Sequence, residues 1–303
     1  MVTFTLVLAV VATLTTLLVW AARPPGDAGV LEWATRYDLA LRLEDREPVR
    51  RQLRRGRLLR TVGFAVPFAI GAGALLYWAE VVERPIPRFP LGWLADPATW
   101  ATGYLVGAVV AELTRPSGRR QPVRGAALVA RRLADYVPAW MPWTARGLAA
   151  AIVVLAPFDN AAEAGGSRSW LQRPSFITAL AAIAVTALVE IALRVVVRRP
   201  QPVASTAELS VDDALRSSSV HRIAGAGMAA LLFLLTNRLG VLPERWWVVG
   251  GLLLLVCYGL AIGCWRDLTS PIWWPVRRSR PRFVPDPGGP GTPPAPGARR
   301  RPA

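Results

Sequence analysis

An all-α bundle of seven transmembrane helices is the fold class this sequence predicts, and three observations point to it. The composition is the first: of 303 residues 53% are hydrophobic, thirteen are Trp and only 18% are charged, where a soluble domain carries about one quarter charged residues. The second is the apolar pattern. Seven stretches approach the roughly 20 residues that an α-helix rising about 1.5 Å per residue needs to cross about 30 Å of hydrocarbon. The third is charge placement. All 36 cationic residues are arginine, and 30 of them fall on one side of those stretches, as the excess of basic residues in cytoplasmic loops requires.

The first stretch runs from Val2 to Ala22 with no basic residue before it, so it lacks the positive n-region of a signal peptide. Val19 and Ala21 imitate a cleavage site, yet the arginines from Arg23 onward hold that end in the cytoplasm, which predicts a retained anchor with its N-terminus outside. Later spans are expected over Thr61–Val82, Asp96–Thr114, Thr144–Phe158, Phe176–Val197, Ile223–Val241 and Trp246–Trp265. Those at 96–114 and 144–158 are the shortest. Arginine counts alternate along the connections: ten in 23–60, two in 83–95, seven in 115–146, two in 159–175, five in 194–222, two in 238–245 and eight from 266 onward. The alternation predicts an external N-terminus and a cytoplasmic C-terminus, and it would break if one span failed to cross.

Three cytoplasmic stretches read as helices near the membrane surface. The first mixes Val30, Leu31, Trp33, Ala34, Leu39, Leu41 and Leu43 with charges before the dense run Arg50–Arg60. In the second, Ala127, Leu128, Leu133, Tyr136 and Val137 alternate with Arg131, Arg132 and Asp135. The third starts at Ser205, which has capping-box spacing to Glu208, and continues through Asp212, Asp213 and Leu215. Such elements orient a bundle and can dock a membrane or cytoplasmic partner. Trp78, Trp93, Trp100, Trp246, Trp247 and Trp265 fall at span ends and read as interfacial anchors. Trp140, Trp143, Trp273 and Trp274 read the same way, with ligand stacking as the alternative.

A faint repeat runs through the chain. Arg-Pro follows three spans, at Arg23-Pro24, Arg115-Pro116 and Arg199-Pro200, where Pro stops a helix and Arg meets headgroups. Val110-Ala111-Glu112 resembles Leu188-Val189-Glu190, and Arg120-Gln121-Pro122-Val123 resembles Pro200-Gln201-Pro202-Val203. Parallel helical hairpins plus a seventh helix would account for this, as would chance in a biased composition. The domain reading is a helical bundle over 1–270 and a Pro-, Gly- and Arg-rich tail over 271–303. That tail cannot bury apolar area and is expected to be disordered, its basic end resting on anionic lipid.

Glu112 and Glu190 are the leading site candidates, because a carboxylate inside an apolar helix is costly and faces a bundle interior or an aqueous cavity. Glu112 has Arg115 at i+3 and Glu190 has Arg194 at i+4. The pairs serve either as structural ion pairs or as coupling sites for protons or a cationic substrate. Outside, Glu80, Glu83, Asp96, Asp159, Asn160, Glu163, Asn237 and Arg238 could form a vestibule, or be solvated loop ends. His221 is the only histidine, which excludes a multi-histidine metal or haem site in one chain and reads as a surface residue beside Arg222. Cys257 and Cys264 are seven apart, about 10 Å along one helix face, too far for an easy disulfide, and read as packing residues.

A chain without Lys has neither a P-loop lysine nor a Schiff-base lysine, and G-x-S-x-G is absent. Gly71, Gly73, Gly225, Gly227, Gly250 and Gly251 suit close helix contacts. The net charge of +16 belongs to arginines flanking apolar spans, which directs it to anionic headgroups of the bilayer and away from nucleic acid. Absence of Lys beside abundant Ala, Gly, Pro and Arg suits a GC-rich genome and a bacterial plasma membrane. The stretch from Arg198 to Ala229, with Arg-Arg-Pro-Gln-Pro-Val, then Asp212-Asp213-Ala214-Leu215-Arg216 through His221 and Ala224-Gly225-Ala226-Gly227, resembles uncharacterised multi-pass membrane proteins of GC-rich bacteria. Arg131 to Pro138 adds to the resemblance, which implies a membrane address and no activity. The functional expectation is a non-catalytic scaffold or an accessory subunit of a transport system, without cofactor or metal. A secondary carrier coupled through Glu112 and Glu190 is the alternative. Substrate, partner name and oligomeric state stay open.

Overall fold

The computed structural model describes residues 2–37, 39, 41, 43–78, 96–115, 132–157, 174–199, 206–239 and 247–266. Every regular element among them is helical: α1 Val2–Ala22, α2 Asp27–Arg36, α3 Leu43–Tyr77, α4 Pro97–Leu113, a 3-10 turn at Leu133–Asp135, α5 Trp140–Leu155, α6 Pro174–Arg198, α7 Thr206–Leu239 and α8 Trp247–Arg266. Four are long and apolar enough to cross a membrane by length and composition, within Thr5–Ala22, Leu43–Tyr77, Ser175–Arg198 and Leu209–Asn237. The tail from 271, the loop glutamates Glu80, Glu83 and Glu163, Asp159, Asn160 and the greater part of the second surface stretch lie outside the described residues.

The spans and the surface stretches are not separate elements. α3 starts at Leu43 and carries the arginine run directly into the apolar segment, where separate segments were expected. At about 1.5 Å per residue its 35 residues extend about 52 Å, so about two fifths of it exceeds the roughly 30 Å of a hydrocarbon core. Arg, Leu and Gln are good helix formers, and nothing between Pro48 and Pro67 forces a break. α7 likewise joins the third surface stretch to its span in one helix of 34 residues.

Burial sorts the helices. In the apolar window of α7 89% of residues are buried, against 6% in α1 and 11% in α3, so α7 is the axis and α1 the rim. α4, α5, α6 and α8 pack around α7, while α3 lies against α4 and α1 against α3. The main core joins Leu105 of α4, Met141 and Ile152 of α5, Val189 and Leu193 of α6, Ile223 and Leu231 of α7 and Ala261 of α8. A second core lies under α2, whose Val30, Trp33 and Ala34 share one face and meet Val49 of α3 with Ala214 and Leu215 of α7.

The α3–α4 contact is backbone against backbone. A Cβ on Gly103 would fall on the Gly63 carbonyl oxygen and the Pro67 ring, and one on Gly107 would fall on the Leu59 carbonyl. Pro67 has no N–H to give to the carbonyl four residues earlier, so the Gly63 oxygen is left to face Gly103. Gly103 and Gly107 have the spacing of a small-residue helix-pairing motif, and neither was among the glycines singled out above. Of those that were, Gly227 is packed against Val189, whereas Gly73 and Gly251 face open space. Phe64 and Phe68 extend the same seam against Trp100, the Phe68 ring 4.8 Å from it at 70°. Trp100 is therefore also a packing residue, beyond its expected anchoring.

Candidate functional site

The C-termini of α4 and α6 arrive beside the first half of α7, and each brings carbonyl groups with no donor in its own helix. Arginines supply the donors. Arg199, just past α6, donates to the carbonyls of Glu112, at 3.1 Å, and Arg115, closing the end of α4. Arg216 of α7 donates to the carbonyls of Arg199 at 2.6 Å, Val196 at 3.3 Å and Val197 at 3.4 Å, closing the end of α6. A guanidinium is suited to this because its N–H groups fan out in a plane and its positive charge meets the negative end of the helix dipole.

Asp212 ties the two caps together. One oxygen accepts from Arg115 and the other from Arg216, each at 2.8 Å. Arg216 is 1% exposed, so its charge depends on this carboxylate and those carbonyls for what water would otherwise supply. Burial draws the Arg199 guanidinium below the usual arginine range; neighbouring Arg115 adds to the shift, while Glu112 and Asp212 oppose it. Beside this junction the Tyr136 hydroxyl donates to Asp213 at 3.1 Å.

Glu112 does not make the expected pair with Arg115. The α4 helix ends at Leu113, so Arg115 leaves the helical register that the i+3 spacing assumed and turns to Asp212 across the bundle. The Glu112 carboxylate instead accepts from Ser219 of α7 at 2.5 Å. Ser219 also lies 3.0 Å from the Leu215 carbonyl, and with one hydrogen it serves one acceptor at a time.

Glu190 is held by Arg194 at 2.8 Å on its own helix and by Arg146 of α5 at 2.6 Å. This trio borders a shallow cleft of about 40 Å³ between α5 and α6, with Thr186 deeper on the same wall. The Arg146 guanidinium lies 5.0 Å from the centre of the Trp143 ring. At the opposite end of the bundle Asp96 caps α4 by accepting from the Ala98 N–H at 2.8 Å, and its second oxygen accepts from the Asn237 amide of α7. Two of the residues proposed for an outer vestibule therefore meet, as a helix cap.

His221 is buried, 3% exposed, because it sits on the central helix; the surface reading is corrected. Its Nδ1 is 2.8 Å from the Ser217 carbonyl and must carry the hydrogen, while Nε2 has no partner among the described residues. Cys257 is buried on α8. No three His, Cys, Asp or Glu side chains come together among the described residues.

Arg199, Asp212, Arg216 and Ser219 were not foreseen as site residues. Asp212 and Arg216 do have the i, i+4 spacing of a helical ion pair. Their main partners lie on other helices, and sequence spacing does not carry that. No protein-family model, no curated protein and no solved structure matches this chain.

Proposed function

We propose that this chain is a seven-span protein of a bacterial plasma membrane, N-terminus outside and C-terminus cytoplasmic, acting as a non-catalytic scaffold or accessory subunit of a transport system. The observation that carries this reading is the commitment of both intramembrane glutamates to joining helices. Glu112 bonds α4 to α7 through Ser219, and Glu190 bonds α5 to α6 through Arg146. A carboxylate already shared with fixed donors supports the bundle and is not offered to a moving cargo. The arginine imbalance of 30 against 6 supports the orientation, which puts the Arg115–Asp212–Arg216 junction on the cytoplasmic side.

Gentle purification from native membranes followed by mass spectrometry tests the role. A stoichiometric permease or ATPase partner is expected; concentrative uptake by the protein alone in proteoliposomes would refute it. Single cysteines placed near residue 3 and in 271–303, on a background lacking Cys257 and Cys264, test the orientation: the first should label from outside and the second only after permeabilisation. The carrier reading keeps one specific support, the cleft beside Glu190. Uptake that survives both Glu112→Gln and Glu190→Gln would end it.

A further inference from the structure

We propose that the cleft between α5 and α6 is a binding site for an anionic phospholipid, whose phosphate is held by Arg146 and Arg194. Each arginine meets Glu190 through one nitrogen only, Nε of Arg146 and Nη2 of Arg194. Their remaining N–H groups have no partner among the described residues, and the two side chains are 43% and 60% exposed. Two guanidinium groups around one carboxylate leave one positive charge. Glu190 also holds them at fixed positions, which removes much of the side-chain entropy cost of gathering them on an anion.

Depth and surroundings favour a lipid as the source of that phosphate. Arg194 is four residues, about 6 Å, from the end of the 25-residue α6, which is close to headgroup depth for a helix crossing a bilayer, and Arg146 of α5 meets the same Glu190 carboxylate there. Trp140 and Trp143 are exposed on the α5 flank, where indoles seat beside the glycerol region. Leu133 and Pro142, both half-buried, put apolar surface at the cleft beside the arginines, where the first carbons of a lipid can rest. Basic clefts between transmembrane helices are the usual form of headgroup sites. The inference rests on these helices spanning a membrane and not on the choice between scaffold and carrier.

The test uses the full chain in nanodiscs of equal parts phosphatidylglycerol and phosphatidylcholine, followed by native mass spectrometry of the lipid retained on release. One phosphatidylglycerol should be retained preferentially, and Arg146→Gln or Arg194→Gln should each reduce that preference about fivefold. Either single change leaves Glu190 one arginine, so folding is preserved, which helical circular dichroism would verify. Equal retention by the unaltered chain and both arginine variants overturns the site. Displacement of the lipid by millimolar inorganic phosphate also overturns it and marks a soluble anion as the ligand. Resistance to alkaline carbonate extraction, measured separately, tells whether the spanning premise itself holds.

Discussion

Replacing Arg216 should be the most costly single change in the junction. Truncation to Ala removes the partner of one Asp212 oxygen and uncovers the carbonyls of Val196, Val197 and Arg199 at the end of α6. Breaking a buried pair from one side costs about 3–5 kcal/mol, because a charge is left in low dielectric without its counterpart. Asp212 keeps Arg115 at 2.8 Å, which places the expectation toward the lower half of that range. Arg216→Lys separates the contributions. An ammonium can still reach Asp212 but cannot also span the α6 carbonyls with a planar fork, so a loss of about 1–3 kcal/mol is expected. Reversible unfolding in mixed micelles, titrated with a denaturing detergent and followed by circular dichroism, gives both values. A loss below about 1 kcal/mol for Arg216→Ala would refute the claim that the guanidinium holds the α6 end.

Gly107→Val should wedge α3 from α4 and cost at least about 1–3 kcal/mol, because the Leu59 carbonyl and the Arg60 backbone cannot move aside as a side chain would. Gly73→Ala, in open space on α3, should instead be neutral or stabilise by up to about 1 kcal/mol; thermal melts in detergent compare the two. Asp96→Ala should cost about 1 kcal/mol through the lost α4 cap, with Asp96→Asn retaining most of it by the same assay. Burial raises the Tyr37 hydroxyl above its usual value, against the opposing pull of its Ser218 hydrogen bond and of Arg222 and Arg36. Since the folded state holds that proton more tightly than the unfolded chain, the contribution is complete below about pH 10 and is lost as pH rises through the folded value. Tyr37→Phe should flatten that alkaline decline in a melt-versus-pH series.

Much of the architecture was legible because apolar length and arginine placement are local properties. The expected segment at Val2–Ala22 coincides with α1, and Asp96, Pro97 and Leu113 bound α4 as the Asp-Pro start and the polar Thr114-Arg115 end imply. Where the reading separated a surface helix from its span, at Thr61 and Ile223, it took polarity for a boundary. A helix needs a breaker to stop, and a run of arginines is not one.

By itself, the sequence determined that the chain is helical, that it carries segments able to cross a membrane, and that Glu112 and Glu190 need partners. Periodicity and the cost of burying charge are enough for that. Only the tertiary structure decided who the partners are. Arg115 reaches Asp212, 97 residues away, because α4 ends at Leu113 and α7 passes beside that end. Gly103 matters more than Gly73 because a second backbone lies against it. His221 is buried because its helix became the axis of the bundle. Such contacts follow from which faces of which helices meet, and spacing within one helix fixes only where its own side chains stand.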